Sequence, residues 1–406
     1  MSCVLTVQHT AAQEGTAKGG TLMGPGFALV GGGSGEQGCL PRTLSQDQLR
    51  RSVSEANNSL GIDPDFVVVL SLDVPTCAEM FYVHVKNDVE GIGHDHIYPE
   101  EIFDLAPEAR LQGIAFLNDA PYFESREEEL ERAFLHELAH RWGARIHVAG
   151  EDPGALLGRD GEHWSYFLDT SSEGGVSPLE GNAWSASAGS YQSLTHLKGV
   201  RFSELDLYLM GLLAPEEVTP LRLLVPNSDP TRGFDGEEGE HVDCRGGPLR
   251  AASPPQHCEV MEMMGSERVL TIDEILEVEG ARLPPAPPES ELPLTASIGF
   301  HFFSPGTVAW SAEACRTWSE RTGDLTKAFS EATRGRMLLE NVTQGSSTCA
   351  ELVASIPLSS SPPQGCSFVG PSRTCVTWGA LFVLLIGGVR RVRTKHPTLT
   401  CKTVEA

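Results

Sequence analysis

The stretch His136-Glu137-Leu138-Ala139-His140 decides how this sequence is interpreted. On an α-helix, residues four apart lie on the same face, so the two histidines project side by side. Two neutral imidazoles at this spacing can share one zinc ion, and Glu137 can accept a proton from a water that the metal activates. The pattern alone is not specific, because the chain has 13 His among 406 residues. Its surroundings therefore carry the interpretation.

The surrounding residues predict a helix that starts near Ser125 and ends near Gly143. Ser125 and Glu128 have the spacing of a capping box, and the glutamates from Glu127 onward favour the positive end of the helix dipole. Gly143 stands where a helix commonly ends through a left-handed residue. An apolar stripe runs along the same segment and consists of Leu130, Ala133, Phe134 and Leu138.

Upstream segments predict a helix and then several strands. The apolar spacing from Leu44 to Leu60 is helical. Phe66–Leu72 is a β-branched run typical of a buried strand, Phe81–Lys86 alternates, and Leu111–Leu117 is a third strand. The expected fold class is α+β, with a mixed sheet and the histidine-bearing helix packed on it.

Composition limits the partners and the compartment. A formal net charge of −25 argues against nucleic acid or an anionic membrane surface as the main partner. Ten cysteines without any CxxC pair favour an oxidising, exported location over a zinc knuckle. Residues 1–30 lack the pattern of a signal peptide, so either translation starts elsewhere or export uses another route. The candidate local disulfides are Cys39–Cys77, Cys244–Cys258 and Cys315–Cys349.

Two histidines leave a catalytic zinc site incomplete, because such sites usually have three protein ligands and one open position. The metzincin spacing would place the third histidine at position 146, which is Ile146, and His147 lies one residue further on. Asp206 is an alternative that can equally cap its own helix, starting at Ser203. The candidates for the third ligand are His147, His163, Glu180, Glu204 and Asp206.

The order of motifs resembles that of leishmanolysin-like peptidases, which are zinc metallopeptidases of the zincin type. That family shares the first motif through the glycine, here His136–Gly143, and takes its third histidine from a His-Trp pair, here His163-Trp164. Leu179–Asn182 falls at the family's methionine turn, with Leu179 in place of Met, and Ser203–Gly211 resembles the following helix. The resemblance implies a zincin-like catalytic domain that holds Zn²⁺ through His136, His140 and His163, with Glu137 as general base.

The resemblance to zincins implies where a substrate would bind, and the residues themselves offer further candidates for the site. In zincins the strand before the helix forms a sheet edge that pairs with an extended peptide, so Ile114–Asn118 would flank the substrate. Tyr166 and Tyr208 are candidates for stabilising the oxyanion. His94 and His96 offer a second metal pair, beside the alternative that they lie in a solvated loop.

The C-terminal part resembles the myxobacterial C-terminal sorting tail (MYXO-CTERM) over residues 362–393. Cys366 is followed by an apolar run from Cys375 to Val389 and then by Arg390–Arg393. The resemblance implies that Cys366 is processed and that the tail is removed, which places the protein at the cell surface, in the outer membrane or outside the cell. The alternative is a simple single-pass anchor.

The expected organisation joins these parts in one chain. We expect an N-terminal disordered segment over 1–40, the zincin-like catalytic domain over 41–225, a small C-terminal subdomain with an acidic Cys-bounded loop over 226–350, a Ser/Pro linker over 351–365, the sorting or anchor segment over 366–393 and a tail over 394–406. The expected function is zinc-dependent endopeptidase acting on peptides or proteins. The alternative is a non-catalytic, surface-anchored binding protein with a structural or vestigial zinc site.

Overall fold

The structure is a computed structural model. It describes residues 21–24, 27–31, 63–72, 80–99, 105, 108–143, 145–149, 155–158, 161–187, 190–193, 199–226, 262–304, 311–343, 345 and 348–355. The expected helix over 44–60, the acidic loop, residues 356–365 of the Ser/Pro linker, the sorting tail and the pairs Cys39–Cys77 and Cys244–Cys258 lie outside these residues. The first part of the expected linker, 351–355, is helical instead, because it belongs to the helix Cys349–Ser355. Among the helices that the structure describes, none is long and apolar enough to cross a membrane.

The described elements are a mixture of strands and helices, which confirms the α+β class. The strands are β1 (Thr21–Gly24), β2 (Phe27–Gly31), β3 (Phe66–Ser71), β4 (Phe81–His84), β5 (Gly113–Asp119), β6 (Trp164–Asp169), β7 (Gly175–Val176), β8 (Glu180–Asn182), β9 (Trp184–Ser187), β10 (Ser190–Ser193), β11 (Gly199–Val200), β12 (Leu221–Pro226), β13 (Glu262–Leu270), β14 (Leu294–Ser304) and β15 (Met337–Asn341). The helices are α1 (Ala120–Phe123), α2 (Glu127–Ala139), α3 (Glu204–Leu209), α4 (Ile272–Glu279), α5 (Ala312–Ala332) and α6 (Cys349–Ser355).

The larger sheet has seven strands in the order β1-β2-β14-β3-β5-β4, with β15 beside β14. Strands β2, β14, β3 and β5 run parallel, and β4 pairs antiparallel with β5. Strand β3 was expected as a buried strand, and the structure confirms it, since every residue of Phe66–Ser71 is buried. Its valines face two apolar clusters, with Val68 in the main core and Val67 in a smaller one on the other face.

The N-terminal segment was expected to be disordered, and the structure corrects this for two short pieces. Thr21–Gly24 and Phe27–Gly31 pair as an antiparallel hairpin. The second strand continues into the larger sheet by pairing with β14, and Phe27 packs edge-on against Phe302. Burial of Phe27 in the main core gives this Gly-rich region an anchor that its composition did not indicate.

Strand β5 is not the edge that was expected for Ile114–Asn118. Its outer side is occupied by β4, so β4 ends this sheet among the described strands. Gly113 allows the close approach, because a Cβ there would overlap the ring of Tyr82 in β4. The residues expected to flank a substrate therefore lie in the interior of the sheet.

The expected boundary at residue 226 does not divide the fold. Strand β14, from the presumed C-terminal subdomain, lies at the centre of the larger sheet between β2 and β3. Ile298, Phe300 and Phe302 of β14 are fully buried in the main core, which explains why the sheet requires them. Strand β13 likewise completes the second sheet, whose order is β8-β6-β12-β13-β10-β9. The described residues up to 355 belong to one compact unit.

Helix α2 packs its apolar stripe on the larger, seven-stranded sheet, as its periodicity predicts. Phe134 stacks on Phe300 of β14 with ring centroids 6.1 Å apart and meets Phe329 of α5 edge-on at 6.5 Å. The expected capping box of Ser125 and Glu128 is wrong, because Arg126 is the N-cap and no side chain caps the helix. The three glutamates in the first turn still complement the helix dipole.

The end of helix α2 also differs from the expectation. Gly143 does not adopt a left-handed conformation, and its N–H donates to the carbonyl of Ala139 at 3.1 Å. A glycine is required here for another reason, because a Cβ would overlap Cδ1 of Leu179. The helix ends at Ala139, and a hydrogen-bonded turn carries the chain on to Gly143, which packs against Leu179.

Three other helices begin directly after a Ser or Thr, the residue types that favour a helix N-terminus. Ser203 caps α3 by a reciprocal capping box with Asp206, and at the start of α4 the carboxylate of Glu274 accepts from the N–H and hydroxyl of Thr271 at 2.7 and 3.1 Å. Helix α5 is capped by Ser311, whose Oγ accepts from the N–H of Ala314 at 3.0 Å. These local signals were sufficient because each capping pair lies within one turn of chain.

One disulfide expected from the cysteine positions is confirmed, between Cys315 of α5 and Cys349 of α6. It closes a loop over a sequence separation of 34 residues. We expect Cys315→Ala/Cys349→Ala to lower the free energy of unfolding by about 2–4 kcal/mol, because the open chain gains entropy when unfolded. The measurement is denaturant unfolding of the variant and of wild type with and without reductant. A midpoint that neither change moves would contradict the expectation.

Candidate metal centre

Helix α2 places His136 and His140 side by side, with ring centroids 5.0 Å apart. His163, the residue before β6, lies 4.9 Å from His136 and 4.8 Å from His140 by the same measure. One ligand atom of each histidine lies within 4.8 Å of the others, so the three are close enough together to hold one metal ion. The structure thus brings together the three histidines that the sequence analysis singled out.

The spacing of two of these nitrogens agrees with a shared ion. Nε2 of His136 lies 3.1 Å from Nε2 of His163. Two ligand nitrogens on a tetrahedral zinc ion lie about 3.3 Å apart, given the usual zinc–nitrogen bond length. These two nitrogens therefore already have the separation that two ligands of one tetrahedral zinc ion need.

The tautomer of His136 is determined by a backbone group. Its Nδ1 lies 2.8 Å from the carbonyl oxygen of Pro178. A carbonyl only accepts hydrogen bonds, so Nδ1 carries the proton and the lone pair of Nε2 faces the other histidines. Nothing in the sequence marks Pro178, because a contact through a backbone carbonyl leaves no signature in the residue type.

The turn at Ser177–Glu180 supports both ligand segments. Leu179 is fully buried, and it packs against Gly143 at the end of the histidine-bearing helix. Its carbonyl accepts from the N–H of Trp164 at 2.8 Å, and its N–H donates to Oγ of Ser177 at 3.1 Å. Leu179 therefore links the end of the segment that carries His136 and His140 to the start of the strand that follows His163.

His163 is held by backbone hydrogen bonds at a strand start. Its carbonyl accepts from the N–H of Gly158 at 2.8 Å, and the N–H of Ser165 donates to the carbonyl of Leu156 at 2.8 Å. The loop residues 155–158 thus pair with the chain that carries His163. This pairing delivers the third imidazole, which is 4% exposed, to the helix.

Asp206 was a candidate ligand, and the structure assigns it a different role. Its carboxylate accepts from Nε1 of Trp164 at 2.8 Å, and from the N–H and Oγ–H of Ser203 at 2.8 and 2.7 Å. Burial raises the pKa of this carboxyl, and the hydrogen bonds oppose the rise. Asp206 therefore caps its helix and positions Trp164, the neighbour of His163.

The remaining rivals for the third ligand point elsewhere. Glu204 accepts from the N–H and hydroxyl of Thr219 at 2.8 and 2.6 Å. His147 lies with Nδ1 2.6 Å from Oε1 of Glu279. Among the residues that the structure describes, neither these two nor Glu180 contributes a ligand atom to the three-histidine group.

The electrostatics of the site favour the neutral form of His140. The pKa of His140 is well below the usual range, first because the ring is buried and then because protonated His136 and His163 would repel its charge. A neutral imidazole is the form that binds a metal, so the site is prepared for one.

Glu137 and the tyrosine candidates have different surroundings. Glu137 is 4% exposed on the helix position between the two metal-facing histidines. The Tyr166 hydroxyl hydrogen-bonds to Ser193 and Asn182, and the Tyr208 hydroxyl accepts from the N–H of Arg282 at 3.4 Å. Burial raises the pKa of both phenols. Both hydroxyls thus have partners that belong to the core.

Comparisons of the chain with protein-family models, with curated proteins and with solved structures find no match. The case for a metal centre therefore rests on the geometry of the three histidines and on the groups that orient them.

Proposed function

We propose that this protein is a zinc-dependent endopeptidase with a zincin-like catalytic centre. His136, His140 and His163 hold the metal, and Glu137 is the general base. The observation that carries the proposal is the group of three histidines whose ligand atoms lie within 4.8 Å of one another. Two of them come from one helix face of a His-Glu-x-x-His motif, which is the arrangement used for metal-assisted hydrolysis.

The donor set supports zinc over other cations. Imidazole nitrogens suit zinc and other late transition metals, whereas calcium and magnesium require oxygen ligands. Three protein ligands leave one position open, as in catalytic rather than structural zinc sites. Zinc, when bound, acts as a Lewis acid that polarises a carbonyl and makes water more acidic.

The chain's own residues have separate tasks in this proposal. Pro178 orients His136 through its carbonyl, and burial keeps His140 neutral. Glu137 accepts the proton of the attacking water on its carboxylate and gives it to the leaving amine nitrogen.

An extended peptide is the proposed substrate, and β4 is its proposed pairing strand. Phe81–His84 pairs with β5 on one side only among the described strands, so its other side offers backbone N–H and C=O groups. Such an edge can add a peptide as one more strand. In this proposal β4 takes the role that the sequence analysis expected of Ile114–Asn118.

Export forms part of the same proposal. The disulfide between Cys315 and Cys349 supports an oxidising compartment, because such bonds are rare in the cytosol. A cell-surface or secreted location, reached through the C-terminal segment 366–393, remains the proposed destination.

The experiment is hydrolysis of an unfolded polypeptide by the purified full chain, followed by complete metal removal with a chelator and readdition of Zn²⁺. We expect cleavage to stop on removal and to return with zinc, because the carbonyl is not polarised otherwise. Cleavage that survives complete removal would contradict the proposal. Zinc binding without hydrolysis of a broad peptide library would favour a structural zinc protein instead.

A further inference from the structure

We propose a second metal site, formed by His96, His147 and Glu279, that binds a zinc-class transition-metal cation independently of the three-histidine centre. One ligand atom of each of these residues lies within 4.8 Å of the others. The site goes beyond the proposed peptidase function and does not depend on it. The sequence analysis considered His96 and His147 only separately, for other sites.

The carboxylate of Glu279 is the centre of this group. Its Oε1 lies 2.6 Å from Nδ1 of His147, and its Oε2 lies 3.9 Å from Nε2 of His96. The two imidazole rings are 5.6 Å apart and nearly perpendicular. Ligand atoms on a tetrahedral zinc ion lie about 3.3 Å apart, so the first of these distances must lengthen and the second must shorten by roughly 0.6–0.7 Å for one ion to be shared. Metal binding would also displace the proton that Nδ1 of His147 holds towards the carboxylate.

The backbone already holds the three ligands together. His96 ends a single 3-10 turn, His147 lies in the segment 145–149 beyond helix α2, and Glu279 ends helix α4. The N–H of Ile92 donates to the carbonyl of Glu279 at 3.1 Å, which joins the first and third of these segments. The N–H of His147 donates to Oε1 of Glu279 at 2.7 Å, which joins the second to the third.

Within the described residues, no Lys or Arg side chain forms an ion pair with this carboxylate, which favours a metal over a plain hydrogen-bonded cluster. The side chain of Glu279 is 7% exposed, and the ion pairs it makes within the described part of the chain are with imidazoles alone. A buried carboxylate is stabilised by a charged partner, and a divalent cation supplies that charge. The side chain of His96 is 51% exposed, so an ion can enter from solvent.

The donor set indicates the class of the ion. Two imidazole nitrogens and one carboxylate oxygen match zinc and its neighbours in the transition series rather than calcium or magnesium. The segment 145–149 lies in the chain between His140 and His163. A cation at this site would therefore bind the segment 145–149 to helix α4. This would fix the stretch of chain that connects His140 to His163.

The experiment counts zinc in the full chain after metal removal and titration with Zn²⁺ alone. We expect two zinc ions per chain in wild type, and one in His96→Ala/His147→Ala and in His136→Ala/His140→Ala. In the second of these variants, Zn²⁺ should still raise the melting temperature, because the second site remains. Glu277, exposed on the same helix, provides the matched control for Glu279.

Glu279→Gln should weaken one of the two binding steps by at least about 10-fold, whereas Glu277→Gln should leave both unchanged. The Gln variants keep the comparison decisive if the alanine variant does not fold. A wild type that binds a single zinc ion, or a Glu279→Gln protein that binds two as tightly as Glu277→Gln, would overturn the proposal. If the single ion is lost in His136→Ala/His140→Ala, the second site fails while the proposed peptidase centre stands.

Discussion

Replacing His163 by alanine is expected to remove one zinc ion per chain and to abolish peptide hydrolysis. The residue is buried, and its Nε2 lies 3.1 Å from that of His136. Alanine at this position therefore removes one of the three proposed zinc ligands. Loss of a direct ligand should lower zinc affinity by more than the roughly 10–100-fold that outer-shell changes cause. The measurement is zinc per chain by elemental analysis, together with cleavage of an unfolded polypeptide.

Asp206→Asn is the matched comparison for His163→Ala. The amide loses one acceptor oxygen, so a donor of Ser203 is left without its partner, and we expect about 1–3 kcal/mol of lost stability. The folded Asp206→Asn protein should keep its zinc, because Asp206 contacts Trp164 and not the metal site. The ligand assignment is wrong if His163→Ala retains the wild-type zinc content or if folded Asp206→Asn loses zinc.

Glu137→Gln is expected to lower kcat by about 10²–10⁴-fold while zinc stays bound. The amide has nearly the same shape as the carboxylate but cannot accept the proton of the attacking water. The measurement is kcat and KM on a defined peptide, with zinc content determined on the same sample. Retained zinc with lost turnover separates a base from a ligand.

Glu128→Gln provides the control for this substitution. Glu128 lies in the first turn of the same helix and is exposed. It should leave kcat, KM and zinc content unchanged, because the side chain faces solvent. If Glu137→Gln is as active as Glu128→Gln, Glu137 is not the general base. If Glu137→Gln loses zinc, Glu137 is a metal ligand instead.

Local patterns predicted the elements whose cause is local. The buried strand Phe66–Ser71, the helix over Glu127–Ala139 and the cap of Ser203 on its helix all follow from neighbours within a few residues. The spacing of His136 and His140 belongs to the same class, because one helical turn determines it. The local sequence therefore determined the relative placement of two of the three proposed ligands.

The sequence did not predict which distant strands pair with each other. Leu294–Ser304 reads as an apolar strand, but nothing in it indicates that it pairs with Phe66–Ser71, more than 200 positions earlier. The antiparallel strand Phe81–His84 covers Gly113–Asp119, and this changes which strand forms the edge of the sheet. Strand order depends on which apolar faces meet, and one strand's residues do not specify its neighbour.

The sequence by itself determined two facing imidazoles and a carboxylate between them, because the pitch of a helix places residues four apart on one side. Only the tertiary structure decided the rest of the centre. It brought His163 across 27 positions of chain to within 3.1 Å of His136, and it directed Asp206 to Trp164. It also gathered His96, His147 and Glu279 from three distant segments. The physical reason is that contacts between segments depend on how buried surfaces pack, which spacing along one segment does not encode.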